Sequence, residues 1–229
     1  YTPLLWDKVP GSWFWLIGAT YLSQFPTYAK NVLGAESSVV TLFLAVFTTG
    51  IGIGSMLCNR LLNGKIHATY VPIAALGMTI FAIDLVFASH HHSHSTPELI
   101  SLWQFLSYFS NWRIVIDLLF ISTCGGIYIV PLYAILQHDS EAEFRSRAIA
   151  SNNIINALVM VVAAIATSTM LFLNFTITQV FLAVAILNIM VAIYICLLLP
   201  EELFKTSLLW LLKLFYHTEV HGIENYYAA

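Results

Sequence analysis

Charge is what this chain has least of. Of its 229 residues only 9% are Asp, Glu, Lys or Arg, and 59% are hydrophobic, whereas soluble globular chains carry about 25% charged residues. So few charges cannot cover a water-facing surface of this size, and lipid must act as solvent for much of it. The net charge of −3 offers no basic field, so no nucleic-acid partner is expected. Cysteine is scarce as well. Cys58, Cys124 and Cys196 lie in different apolar runs with no CxxC spacing, and free thiols in such places behave as small hydrophobes. No nucleophile–base pair, metal-ligand set or phosphate loop is present, so neither catalysis nor a cofactor is expected. A signal peptide is missing too: Asp7 and Lys8 lead straight into the first apolar run without a small-residue cleavage site. Because the sequence opens on Tyr1 and not Met, we expect it to begin in mid-protein.

What the chain has in abundance is long apolar runs. A helix crossing a bilayer core needs about 20 predominantly apolar residues. Six runs reach that length, over 12–33, 39–62, 69–89, 112–136, 147–173 and 177–199. They are too long for barrel strands and lack alternation. The expected fold is an all-α membrane protein, with a six-span unit over 1–200 and a tail over 201–229. Leu203 to Tyr216 in that tail is amphipathic, with Lys205 and Lys213 suited to anionic lipid. Arg60, Lys65, Arg145 and Arg147 sit in the links after the second and fourth spans, and Lys8, Lys205 and Lys213 near the ends. By the positive-inside rule both termini face the cytoplasm, in keeping with an even number of spans. Over 98–110, Ser101, Gln104 and Ser107 or Tyr108 form a polar stripe that Asn111 continues. The spacing predicts an interfacial helix on the outer face; a long tilted span starting near Glu98 is the alternative.

Ionisable groups inside spans are costly and mark functional positions. Lys30, Asp84, Arg113 and Asp117 are such groups, and the topology brings them to one depth in the outer third of the membrane. A zwitterionic ligand needs this mixture, cations for a phosphate and carboxylates for an ammonium. A structural reading stands beside it: Arg113 and Asp117, four residues apart, neutralise each other, and Lys30 snorkels to the interface. Gln24, Tyr28 and Asn31 share a face of the first span, which Pro26 interrupts. The fourth span carries Gly125, Gly126 and Pro131 with Tyr128 and Tyr133 nearby. Interrupted helices of this kind line transporter cavities, although ordinary packing accounts for any one of these residues. Gln24, Tyr28, Lys30, Asp84, Arg113, Asp117 and Tyr128 are the candidate substrate-binding residues. Gly50 and Gly54 are expected to mark a close helix contact and not a nucleotide loop. His90, His91, His92 and His94 lack the spacing of a structural zinc site and are expected to form a polar outer loop. Asn174-Phe175-Thr176 is a formal glycosylation sequon, relevant only in a eukaryotic source.

Residues Gly54 to Lys65 (GSMLCNRLLNGK) resemble the short basic loop motif of the major facilitator superfamily, with Asn59 where Asp is commoner. Gln24 to Lys30 (QFPTYAK), Gly125 to Gln137 (GGIYIVPLYAILQ) and Arg147 to Leu158 (RAIASNNIINAL) are together similar to the bacterial lysophospholipid transporters of that superfamily. The resemblance runs over 12–199. It implies the C-terminal six-helix half of a twelve-helix transporter, whose missing partner is the N-terminal half. It also implies movement of lysophospholipid across the bacterial inner membrane for reacylation. Phe215 to Asn225 (FYHTEVHGIEN) resembles the lead-in to a glycerophospholipid acyltransferase domain, which suggests a fused or associated acyltransferase. The His and Asp that such an enzyme needs, with four residues between them, are not in this chain. Another substrate within the superfamily, or a membrane anchor for the acyltransferase, are the other readings.

Overall fold

The computed structural model describes residues 9–62, 67–89, 99–141 and 143–198. The histidine cluster, Lys8, Lys65, the amphipathic tail and the acyltransferase-like segment lie outside the described residues. The described chain is helical: α1 (Val9–Asn31), α2 (Ser37–Leu62), α3 (Val71–Ser89), α4 (Leu102–Ser107), α5 (Phe109–His138), α6 (Arg145–Phe172) and α7 (Ile177–Leu198). Polar side chains within these apolar helices bond back to their own backbone. Thr20 donates to the Leu16 carbonyl (2.9 Å), Ser55 to Ile51 (2.8 Å) and Thr123 to Leu119 (2.7 Å). Each hydroxyl is thereby satisfied without water.

Five described helices are long and apolar enough to cross a membrane, namely α2, α3, α5, α6 and α7. Large apolar side chains point outward along them, including Ile80, Ile154, Leu158, Ile165 and Met190. Water would penalise such a surface and lipid would not, so the chain is an all-helical membrane protein. The first expected span is the exception. Helix α1 has the length, at 23 residues, but does not stand among the five. Ser12, Thr20, Ser23, Gln24, Thr27 and Lys30 interrupt its apolar character.

The helices alternate in direction. We term distal the end holding Asn31, Ser89 and Phe109, and proximal the end holding Leu62, Val71, His138 and Arg145. Helix α5 is the hub, packed most extensively on α2 and α3; α3 also packs on α7, and α1 on α6. The α2–α5 contact is the closest. A Cβ on Gly54 would lie 2.0 Å from the Thr123 carbonyl oxygen, and one on Gly126 2.5 Å from that of Ile51. Backbone meets backbone here, as the Gly50–Gly54 spacing leads one to expect.

The distal half is filled by rings. Tyr21 stacks on Phe181 at 4.6 Å between centroids, and Phe25, Tyr28, Phe43, Phe47 and Phe105 complete the cluster. Phe105 anchors α4 to the bundle, while Trp103 on the same short helix is 80% exposed. Ser101 and Gln104 form a capping box at its start. The expected single helix over 98–110 is therefore shorter. It stops at Ser107, Tyr108 is extended, and α5 begins at Phe109. Asn111, expected on the polar stripe, is instead buried, because its amide donates to the freed Phe105 carbonyl at 2.7 Å. Nearby, two backbone bonds clip the α1–α2 link to the α3–α4 link: Ile100 N–H to Gly34 O (2.8 Å) and Glu36 N–H to Ile100 O (3.1 Å). Gly34 permits this turn with φ 60°, a conformation that a side chain would resist.

Candidate functional site

The ionisable residues of the spans separate into a cluster and an outlier. Asp84 lies on α3 near its distal end, and Arg113 on the first turns of α5 facing it. The Arg113 guanidinium holds the carboxylate in a fork, Nε donating to Oδ2 at 2.9 Å and Nη2 to Oδ1. Bidentate pairs of this kind fix orientation as well as charge. Both side chains remain partly open, 35% for Asp84 and 50% for Arg113. Asp117, one turn further along α5, is by contrast only 2% exposed. Thus Arg113 makes its ion pair across the helix interface with Asp84, and not with Asp117 one turn along its own helix as the structural reading had it. Lys30 stays outside the cluster. It is exposed at the end of α1 and makes no ion pair among the described residues.

The uncharged candidates also divide. Tyr28 is fully buried, its hydroxyl 2.6 Å from Ser89 Oγ. Ser89 gives its own proton to the Leu85 carbonyl (2.6 Å), so Tyr28 is the donor between them. This bond ties α1 to α3 beside the charged cluster. Gln24, one turn below, is 9% exposed, and its side-chain nitrogen meets Ser23 Oγ at 3.4 Å. Tyr128 is buried too, but it follows Asp117 by eleven residues, roughly 16 Å along the axis. It belongs to a different level of the bundle. The structure therefore brings together Asp84, Arg113, Asp117 and Tyr28, and separates Lys30 and Tyr128 from them.

Two polar networks complete the interior, and neither was among the candidates. In the first, Trp13 Nε1 donates to Asn188 Oδ1 (2.8 Å), and the Asn188 amide donates to Thr79 Oγ1 (2.8 Å) and the Ala75 carbonyl (3.0 Å). This joins α1, α3 and α7 at mid-bundle. In the second, toward the proximal end, Asn156 on α6 takes the amide orientation that satisfies all its neighbours. Its oxygen accepts from Tyr133 OH (2.8 Å) and Asn152 Nδ2 (3.1 Å), and its nitrogen donates to Ser12 Oγ (2.9 Å). Trp15 Nε1 donates to Tyr133 OH at 2.9 Å. The signal was visible in the sequence: Asn152 and Asn156 are four residues apart, on one face of a membrane-spanning helix. Asparagine inside a span has few ways to be satisfied except by another helix.

Chemically, the distal cluster offers a guanidinium and two carboxylates at one edge of an aromatic core. It can hold groups of either sign. No protein-family model, curated protein or solved structure matches this chain.

Proposed function

We propose that this chain is one half of a secondary transporter that carries lysophospholipid between the leaflets of a bacterial inner membrane. The observation that carries the reading is the Asp84–Arg113–Asp117 cluster at the distal end of membrane-spanning helices. It places a cation and anions within reach of a zwitterionic headgroup, beside apolar helix surfaces suited to a single acyl chain. Membrane proteins keep charged groups at such depth for ligands, ions or relays.

The helix pairing lends support. Numbering α1, α2, α3 as one triplet and α5, α6, α7 as another, exchange of the triplets turns the α1–α6 contact into the α5–α2 contact and leaves α3–α7 unchanged. Internal repeats of inverted topology are common in transporters. The polar α1 then fits as a cavity wall, and its exposed residues Ser23, Lys30 and Asn31 as positions facing a second six-helix half. On this reading both termini are cytoplasmic, the distal end is external, and an acyltransferase downstream would consume the arriving lysolipid.

The test is uptake of fluorescent lysophosphatidylethanolamine by vesicles holding the full-length protein. Asp84→Asn, Arg113→Gln and Asp117→Asn are each expected to reduce initial rates at least tenfold. Wild-type rates in all three variants would leave the cluster a purely structural device. Uptake of a soluble solute in place of lysolipid would favour a different substrate. Transport of neither would favour an anchoring role.

A further inference from the structure

Asp117 is almost wholly buried, and its Oδ2 meets no hydrogen-bond donor among the described residues. An ionised carboxylate left in that state is among the most costly groups a span can hold. The groups that face it are few. From α3 comes Asp84, whose carboxylate is already occupied by Arg113. From its own helix comes Arg113, turned toward Asp84. From α1 come the hydroxyls of Tyr21 and Tyr28. Tyr28 is committed to Ser89, whereas the Tyr21 hydroxyl is buried without a hydrogen-bond partner among the described residues. Two carboxylates against one guanidinium leave one negative charge over.

A proton removes that charge and supplies the missing donor in one step. Asp117 lies close enough to Asp84 for the two carboxyls to share a hydrogen bond once one of them is protonated. A small metal cation fits less well, because hard cations collect several oxygens and Arg113 would repel one here. We propose that Asp117 holds an exchangeable proton shared with the Asp84 carboxylate, and that movement of this proton is coupled to the conformational cycle of the chain. The coupling half of this statement rests on the transport reading; the proton site does not.

On the distal side, the partly open Asp84 and Arg113 give the shared proton a route of exchange with solvent. On the other side, Ile121, one turn beyond Asp117, lines a narrow and mostly apolar cavity together with Met78, Ala82 and Val184, so exchange is expected from the distal side. Release breaks the Asp117 O–H bond, leaves the electron pair on the carboxylate and passes the proton to water. The cluster goes from neutral to a charge of minus one, and Arg113, only one turn away, must then divide its donors between the two carboxylates. Uptake reverses these changes. Redistribution of one guanidinium between α3 and α5 is the event that links the proton to helix position.

Infrared difference spectroscopy of the reconstituted full-length protein tests the site directly. The expected result is a carboxylic-acid carbonyl band that shifts in deuterium oxide and vanishes on titration to high pH. Asp117→Asn abolishes it, Asp117→Glu restores it, and Glu36→Gln, at an exposed distal carboxylate, leaves it unchanged. Asp84→Asn also abolishes it, because the freed Arg113 then pairs with Asp117. A wild-type protein without the band, a band that survives Asp117→Asn, or one displaced by sodium at constant pH would overturn the proposal. For the coupling, a pH gradient should accelerate wild-type lysolipid uptake at least fivefold and Asp117→Asn uptake not at all. Gradient-insensitive wild-type uptake overturns the coupling alone. Absence of any uptake refutes the transport reading and the coupling together, and the infrared band still decides the proton site.

Discussion

Arg113 passes over Asp117, its neighbour on α5, and grips Asp84 on α3 through two nitrogens, with Nε to Oδ2 at 2.9 Å. The choice binds two helices together and leaves the more deeply buried carboxyl without its nearest cation. If the pairing is energetically real, the two residues must behave as a unit. Asp84→Asn and Arg113→Gln should each lower the melting temperature in detergent, and the double variant should lose less than the two added together. Strict additivity in that cycle would mean that the pair contributes nothing.

The bond from Tyr28 to Ser89 makes an asymmetric prediction. Tyr28→Phe removes the donor and leaves Ser89 still bonded to Leu85, so the expected cost is about 1 kcal/mol. Ser89→Ala strands the buried Tyr28 hydroxyl and should cost more, about 1–3 kcal/mol. Equilibrium unfolding in mixed micelles gives both values; the reverse ranking would show the hydroxyl finding another acceptor.

Glycines on α2 are not equivalent. Gly54→Ala directs a Cβ at the Thr123 carbonyl 2.0 Å away, whereas a Cβ on Gly52 would meet nothing within 4 Å. Forcing the backbones apart should cost at least 1–3 kcal/mol, the usual range for overpacking, and Gly52→Ala should be neutral or slightly stabilising. Thermal stability of the purified variants separates the two positions. Equal effects would mean that α2 and α5 are not in backbone contact.

Asn188 on α7 holds three partners on α1 and α3. Asn188→Leu is expected to cost about 0.6–1.7 kcal/mol, as interhelical polar contacts in membranes do. It also frees the Trp13 indole, which should shift tryptophan emission to the blue as the N–H loses its acceptor. Unchanged emission would place Trp13 away from this network.

Orientation is open to direct measurement. With Cys58, Cys124 and Cys196 replaced, Gln104→Cys at the distal end should react with an impermeant thiol reagent from outside intact cells. On the proposed topology, His138→Cys at the proximal end should react only after the membrane is permeabilised. The opposite pattern would invert the topology and place the charged cluster at the cytoplasmic face.

Much of the helical plan can be read from composition, because lipid as solvent leaves few alternatives for the backbone. The Gly50–Gly54 contact was legible for the same reason, since small residues at that spacing have little other use inside a span. The interior was less so. Sequence spacing suggested that Arg113 would meet Asp117, four residues away, but a helix neighbour is only one of several reachable partners. The contact with Asp84, 29 residues distant, depends on how α3 and α5 dock. Asn111 was assigned to a polar stripe by periodicity, yet the break at Tyr108 rotates it inward to serve the end of α4. The roles of Asn156 and Asn188 were hidden because an amide announces a need for partners without naming them.

The glycine contact between α2 and α5 has a further consequence. Two helices joined backbone to backbone cannot roll or slide on one another as helices separated by side chains can, so they act as a single beam. Bending or shearing during any working cycle must then be taken up at softer seams. One such seam is where α1 and α6 meet through side chains, the Asn156 amide donating to Ser12. The chain is thus built as a stiff spar with a compliant flank, and variants that alter speed without altering stability should be sought on that flank.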